Sequence, residues 1–261
     1  MRKTAKAALA LSGGLAAWAF LGEPRCLTCK KYTLGTGSRR LRLLQLSDMH
    51  IGPWMTRKQV SRLVRRVNGL SPDILLFTGD LYDRFMDWRR EEDALPLALI
   101  KAPLGKYAVW GNHDRANMGR RYPELMAKVG FELLENTGKG IALAGGKMLW
   151  IAGVDDMLFG RPKRCRAEKT ADYCVLMVHE PDAADYFKNE GYDLILSGHT
   201  HGGQVRLPLL PPVTTELGRK YLRGFYTLGK TRLYVNPGIG CTKLPCRLGA
   251  APEITIFDIH L

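Results

Sequence analysis

The sequence lacks an apolar run long enough to cross a bilayer. The longest, Ala7–Gly22, covers 16 residues against the ~20 that a spanning helix needs. Gly13-Gly14 interrupts it, and the overall composition, close to that of soluble domains, excludes a polytopic membrane protein. No internal repeat is visible, which argues against a solenoid. No twin-Arg pair opens the chain, and no second Cys-x-x-Cys stands at zinc-finger spacing from Cys26-Leu27-Thr28-Cys29. The six cysteines form no disulfide framework, and a chain of 261 residues can bury its core without one. Acidic residues are scarce: 25 Asp+Glu face 39 Lys+Arg, a formal charge of +14 that calls for an anionic partner. With 46% hydrophobic and 25% charged residues, the rest is ordinary for one globular α/β domain.

Composition divides the chain near residue 40. Residues 1–40 hold Arg2, Lys3 and Lys6, the apolar run and a basic linker. They are expected to be an apolar anchor or a signal-like segment, spanning or lying in the interface. More cations follow the run (Arg25, Lys30, Lys31, Arg39, Arg40 and Arg42) than precede it. The positive-inside rule therefore predicts membrane association with the main domain, residues 41–261, on the cytoplasmic face. Export is the alternative.

From Leu41 onward, short apolar runs stop at polar and glycine clusters. Leu41–Leu46 ends at Ser47-Asp48, Asp73–Phe77 at Thr78-Gly79-Asp80, and Tyr107–Trp110 at Gly111-Asn112-His113-Asp114. Tyr173–Val178 ends at His179, and Asp193–Leu196 at Ser197-Gly198-His199. Such runs predict buried strands. Val60, Leu63, Val64 and Val67 recur at helical spacing, with Arg57, Lys58, Arg62, Arg65 and Arg66 off that stripe. A basic amphipathic helix thus links the first two strands, and a sheet covered by helices follows. Ala94–Ile100, disturbed by Pro96, and Tyr122–Val129 predict further helices. Later strands include Met148–Gly153, Arg232–Val235 and Glu253–Ile259.

Five of the six histidines fall at these strand ends. The candidate metal ligands are Asp48, His50, Asp80, Asn112, His179, His199 and His201. In open α/β sheets, ligands collect beyond the carboxyl ends of the strands, so these side chains should converge. Imidazole, carboxylate and amide oxygen suit Mn, Fe, Zn or Mg. Seven candidates exceed one ion's needs, which favours two divalent metal ions, Mn2+ first among them.

Asp48-Met49-His50, Gly79–Arg84, Gly111–Asp114, His179 and Gly198–His201 resemble, in order, the five blocks of calcineurin-like metallophosphoesterases. The resemblance implies a two-sheet αββα sandwich with a dinuclear centre between the sheets. One ion would be held by Asp48, His50, Asp80 and His201; the other by Asp80, Asn112, His179 and His199, with Asp80 bridging. It further implies a phosphoester hydrolase whose nucleophile is a hydroxide bridging the two metals. His113 would protonate the leaving oxygen, Asp83 would orient that imidazole, and Arg84 would grip phosphate together with Asn112 and His113.

Other segments point to one bacterial branch of the superfamily. His179–Asp182, Gly198–Pro208, Gly218–Tyr221, Asn236–Gly240 and Glu23-Pro24 resemble general phosphodiesterases and the membrane-associated UDP-2,3-diacylglucosamine pyrophosphatases of lipid A synthesis. The expected substrate is therefore a lipid-linked pyrophosphate or diester met at an anionic membrane surface. A general phosphodiesterase or a nuclease is the alternative, although no nucleic-acid-binding motif accompanies the positive charge. A non-catalytic scaffold on the same fold is the reading from another class, and the intact ligand set argues against it. Trp54, near the first block, is expected to pack. The apolar loop around Leu207 is expected to cover the sandwich edge.

Overall fold

The computed structural model describes residues 12–83, 90–207 and 210–261. Its strands are β1 (Thr28–Gly35), β2 (Arg40–Leu46), β3 (Ile74–Phe77), β4 (Lys106–Ala108), β5 (Glu132–Leu133) and β6 (Thr137–Ala142). There follow β7 (Met148–Gly153), β8 (Tyr173–Met177), β9 (Leu194–Ser197), β10 (Gly224–Leu228), β11 (Thr231–Val235) and β12 (Glu253–His260). The α-helices are α1 (Arg57–Gly69), α2 (Asn112–Asn117), α3 (Arg121–Lys128) and α4 (Ala184–Phe187).

The strands form two six-stranded sheets, β1-β12-β2-β3-β4-β5 and β10-β11-β9-β8-β7-β6. In the first, β2 to β5 are parallel and β12 runs antiparallel to β2. In the second, β7, β8, β9 and β11 are parallel, with β6 and β10 as antiparallel edges. The inner faces meet through Leu43, Leu76 and Tyr107 from one sheet and Ile151, Val175 and Leu196 from the other. Alternate residues of the first sheet, Leu44, Leu75 and Phe77, face outward and pack under Val60, Leu63, Val64 and Val67 of α1. Leu176, Ile195 and Val235 do the same for the second sheet against Ala183, Ala184 and Phe187. Both faces of each sheet are thus buried, which is why the strands read as unbroken apolar runs. The expected helix–sheet–sheet–helix layering is present. Helix α1 starts where Thr56 caps it, its backbone N–H donating to Gln59 Oε1 at 2.7 Å while its side chain serves the first turn.

Several expectations need correction. Strand β1 lies inside residues 1–40 and pairs with β12 along its whole length, so the globular unit starts well before residue 41. Nothing apolar announces it. Only Leu34 of the strand is buried, and Lys30 and Lys31 reach Glu253 and Asp258 at 2.7 and 2.9 Å. Pro96 replaces the helix over Ala94–Ile100 with short 3-10 turns, Glu91–Asp93 and Leu95–Leu99. Trp54 does not pack: it is 53% exposed.

The apolar N-terminal segment is described only from residue 12. Helix from residue 12 runs through a π turn at Trp18–Gly22 and ends in a 3-10 turn at Glu23–Arg25. Its end is tied to the domain: the Glu23 carboxylate accepts from Gly249 N (2.9 Å) and Ala250 N (2.6 Å), and Arg247 N donates to Ala19 O (2.9 Å). No helix among the described residues is long and apolar enough to cross a membrane, so the anchor is not found there. Residues 1–11 lie outside the described residues, as do Arg84 and positions 208–209 of the apolar loop, whose neighbours Leu207 and Leu210 are exposed.

Candidate metal centre

The predicted ligands all sit just past strand ends, and the two sheets contribute jointly. Asp48 and His50 follow β2, Asp80 follows β3, and Asn112 and His113 open α2 after β4. His179 follows β8, while His199 and His201 follow β9 on the facing sheet. Asp48, His50, Asp80, His199 and His201 all adopt left-handed backbone, with φ between 44° and 71°. Such conformations cost roughly 1–3 kcal/mol each for non-glycine residues and persist only where the surroundings enforce them. Here the enforcement is visible. Asp48 N donates to Gly79 O at 2.9 Å and His50 N to Asp80 O at 3.2 Å. The buried Asp114 carboxylate accepts from Asp80 N (2.8 Å), Leu81 N (2.9 Å) and Gly111 N (3.2 Å), which bends the Asp80 turn inward. A Cβ at Gly111 would overlap the Asp80 amide and carboxylate, and one at Gly198 would overlap Ser47 and Asp48. Only glycine lets the loops close this tightly.

Two groups of ligand atoms result. In the first, His50 Nε2 lies 3.0 Å from His201 Nε2, and His201 Nε2 lies 3.5 Å from Asp48 Oδ1. In the second, Asn112 Oδ1 lies 3.2 Å from His179 Nε2 and 2.9 Å from His199 Nδ1. Asp80 Oδ2 joins them, 3.5 Å from His50 Nε2 and 3.3 Å from His179 Nε2. Ligands bound to one cation at ~2.1 Å stand about 3.0 to 3.4 Å from one another, so these spacings fit an ion in each group. Hydrogen bonding on the far side of two rings strengthens the case. His179 Nδ1 faces the carbonyl of Thr78 at 2.6 Å, and His199 Nε2 faces that of Glu216 at 2.7 Å. Carbonyl oxygens only accept, so those nitrogens carry protons, and the neutral His199 ring turns a lone pair inward. That lone pair then confronts Asn112 Oδ1 at 2.9 Å. A cation between them resolves that conflict.

The electrostatics agree. Burial lowers the His50 imidazole to about 3 and His199 to about 4, and holds His201 below its usual range, so these rings are neutral and available as ligands. At His179 burial also opposes charge, but the Asp80 carboxylate outweighs it and raises the ring well above the ordinary value. Burial raises Asp80 too, yet His179, His113 and His50 together pull it well below the carboxylate range. Asp80 and His179 thus form a spot that demands positive charge. Burial pushes Asp48 up to about 6, with His179 opposing.

His113 stands at the rim. Its side chain is 15% exposed, its ring meets His50 edge-on with centroids 4.8 Å apart, and its backbone N–H donates to Asp80 Oδ1 at 2.9 Å. Asp83 Oδ1 lies 4.0 Å from His113 Nδ1, within ion-pair range but beyond a direct hydrogen bond. Two features escaped the sequence reading. Arg247 is wholly buried, donates to Pro237 O and Ala250 O at 2.9 and 2.7 Å, and places Nη2 3.4 Å from His201 Nδ1. Glu180, next to His179, is buried against Asp156, and burial raises its carboxyl. The adjacency of Glu180 to His179 was a usable signal; nothing local marks Arg247.

A two-sheet sandwich that sets imidazole, amide and carboxylate groups around one shared Asp has the architecture of a dinuclear metal hydrolase. The chain belongs to the calcineurin-like phosphoesterase family, whose sequence profile matches residues 41–203. It is 35% identical to the uncharacterized metallophosphoesterase YkuE of Bacillus subtilis, over 98% of this chain and 93% of that one. It is 28% identical to the phosphodiesterase YaeI of Escherichia coli, over 84% of this chain and 82% of that one. A transmembrane protein with metallophosphoesterase domain from Danio rerio is 35% identical over 82% of this chain and 52% of its own length, so the chain spans about half of that relative. The protein is a hydrolase of the metallophosphoesterase type, with clustered ligands for the family's two metals.

Proposed function

We propose that the protein hydrolyses phosphodiesters, with Mn2+ as the preferred metal. The observation that carries this reading is the position of Asp80 Oδ2, within 3.5 Å of a ligand nitrogen in each group. Asp48, His50, Asp80 and His201 would hold one divalent cation, and Asp80, Asn112, His179 and His199 the other. Bound there, such cations supply Lewis-acid polarisation of the phosphoryl group and hydroxide at neutral pH. The chain itself supplies the rest. The buried loops fix the ligands before substrate arrives, so little reorganisation is left for the reaction. His113, at the rim, gives a proton to the departing oxygen, help typically worth ~10²–10⁴-fold. The Asp83 carboxylate lies 4.0 Å from His113 Nδ1, placed to orient the ring. Arg84, outside the described residues, is the remaining candidate for gripping phosphate. Replacing Asn112 by Ala should abolish turnover of a simple diester while leaving the circular dichroism spectrum unchanged. Full activity in that variant would overturn the assignment.

A finer reading, a lipid-linked pyrophosphate such as UDP-2,3-diacylglucosamine cleaved at the cytoplasmic face of the membrane, is supported by one observation. Leu15, Trp18, Phe20 and Leu21 of the N-terminal segment are exposed apolar side chains. Diacyl substrate in micelles, with UMP release as the readout, tests this; turnover confined to artificial aryl phosphates would refute it.

A further inference from the structure

A cavity of about 580 Å³ lies outside the metal centre, between the N-terminal segment, α1 and the loop that follows His50. Its walls are mixed, more apolar than polar, with Phe20, Leu27, Trp54, Met55, Leu63 and Ile239 lining them. Arg62 and Arg66 of α1 also line it, and Arg25 lines it from the end of the N-terminal segment. The volume falls in the range of small-molecule and cofactor sites, and the chemistry is divided: apolar walls with two cations from α1 and a third, Arg25, from the N-terminal segment. Helix α1 carries five cations and no carboxylate, and none of the five is ion-paired with a described residue. Phe20 belongs both to the cavity and to the exposed apolar face of the N-terminal segment, so the two surfaces are continuous.

A free phosphate or a nucleic acid backbone would use the cations and leave the apolar walls idle. An apolar peptide would leave the cations idle. An acyl chain ending in an anionic headgroup uses both, because its chain removes the walls from water while its phosphate meets the guanidinium groups. We propose that this cavity takes one acyl chain of an anionic phospholipid, with Arg62 and Arg66 on the phosphate, and so seats the protein on a bilayer. The inference goes beyond the hydrolytic reading and stands whichever ester is cleaved. It also places the lipid against the centre's own scaffold, because Ile239 N and Gly240 N donate to Asp48 O at 3.3 and 2.8 Å.

The test uses the full chain and vesicles of phosphatidylcholine with and without phosphatidylglycerol, and no hydrolysis is read. Sedimentation should show binding to the anionic vesicles alone. Arg62→Gln/Arg66→Gln should weaken it about thirtyfold, two cations' share of the attraction to an anionic surface, with an unchanged circular dichroism spectrum. Brominated acyl chains should quench tryptophan fluorescence, and Trp54→Phe should remove a large part of that quenching. Equal binding by the arginine variant, quenching unaltered in Trp54→Phe, full displacement by glycerol phosphate lacking any chain, or retention on duplex DNA with none on vesicles would each overturn the proposal.

Discussion

Replacing Asp80 by Asn and, separately, His201 by Ala tests whether the centre holds two ions that share one carboxylate. Asp80 Oδ2 approaches His50 and His179 at 3.5 and 3.3 Å, one in each group, whereas His201 Nε2 approaches His50 and Asp48, both in the first, at 3.0 and 3.5 Å. Metal at ~100 times its Kd stabilises the folded state by about 2.7 kcal/mol per site, so two sites give about 5 kcal/mol. For a domain of this size each kcal/mol moves Tm by roughly 2–4 °C, and saturating Mn2+ should raise Tm by about 10–20 °C over chelated protein. His201→Ala weakens one ion and should retain about half of that rise. Asp80→Asn weakens both, and with each Kd raised about a hundredfold the remaining stabilisation is about 1 kcal/mol, a rise of roughly 2–4 °C. Calorimetry with and without metal, beside elemental analysis, reads both quantities. Equal losses in the two variants, or a full metal response in Asp80→Asn, would refute the shared position.

Three further outcomes are expected. His113→Ala should slow hydrolysis of an alkyl ester by ~10²-fold or more and affect a p-nitrophenyl ester far less, because a good leaving group needs no proton; equal losses on both would exclude the acid role. Metal uptake should release protons and weaken as pH falls, first through the His179 value, which lies well above the ordinary 6.5, and further below about 6, where Asp48 sits, because both must deprotonate to bind. His50 and His199, at about 3 and about 4, are already neutral there and add nothing. Calorimetric titration in buffers of different ionisation enthalpy measures the release. Finally, Arg42 hydrogen-bonds Asp258 at 2.8 and 3.1 Å and, with Lys31, holds that carboxyl at about 2. A native pKa below the unfolded value contributes stability that is full above pH ~4 and lost as pH falls towards 2. Asp258→Asn should thus cost about 2 kcal/mol at neutral pH in denaturant melts, a gap that narrows between about pH 4 and pH 2; a pH-independent gap would contradict the ion pair.

Particular elements show why some of this was legible in the sequence. Leu41–Leu46 and Asp73–Phe77 read as strands because helices cover one face and the second sheet the other, so neither face needs polar residues. Helix α1 was legible from its stripe, since Val60, Leu63, Val64 and Val67 are the residues it buries. Strand β1 was not, because it is held by main-chain pairing to β12 and by Lys30 and Lys31, with little apolar burial to leave a pattern. Arg247 was hidden for a related reason: its partners are the carbonyl groups of Pro237, Gly240 and Ala250, which any residues would present.

From the order of residues alone came the list of chemical groups, five strand ends bearing imidazole, carboxylate and amide, and hence the kind of metal and reaction they serve. Which of those groups touch was decided only by the packing of one sheet against the other. Asp80 and His179 are far apart in the chain, and their 3.3 Å approach depends on how the buried faces around Leu76 and Val175 fit together. Local spacing records what a turn can present; the distance between two turns is set by side-chain volumes throughout the core.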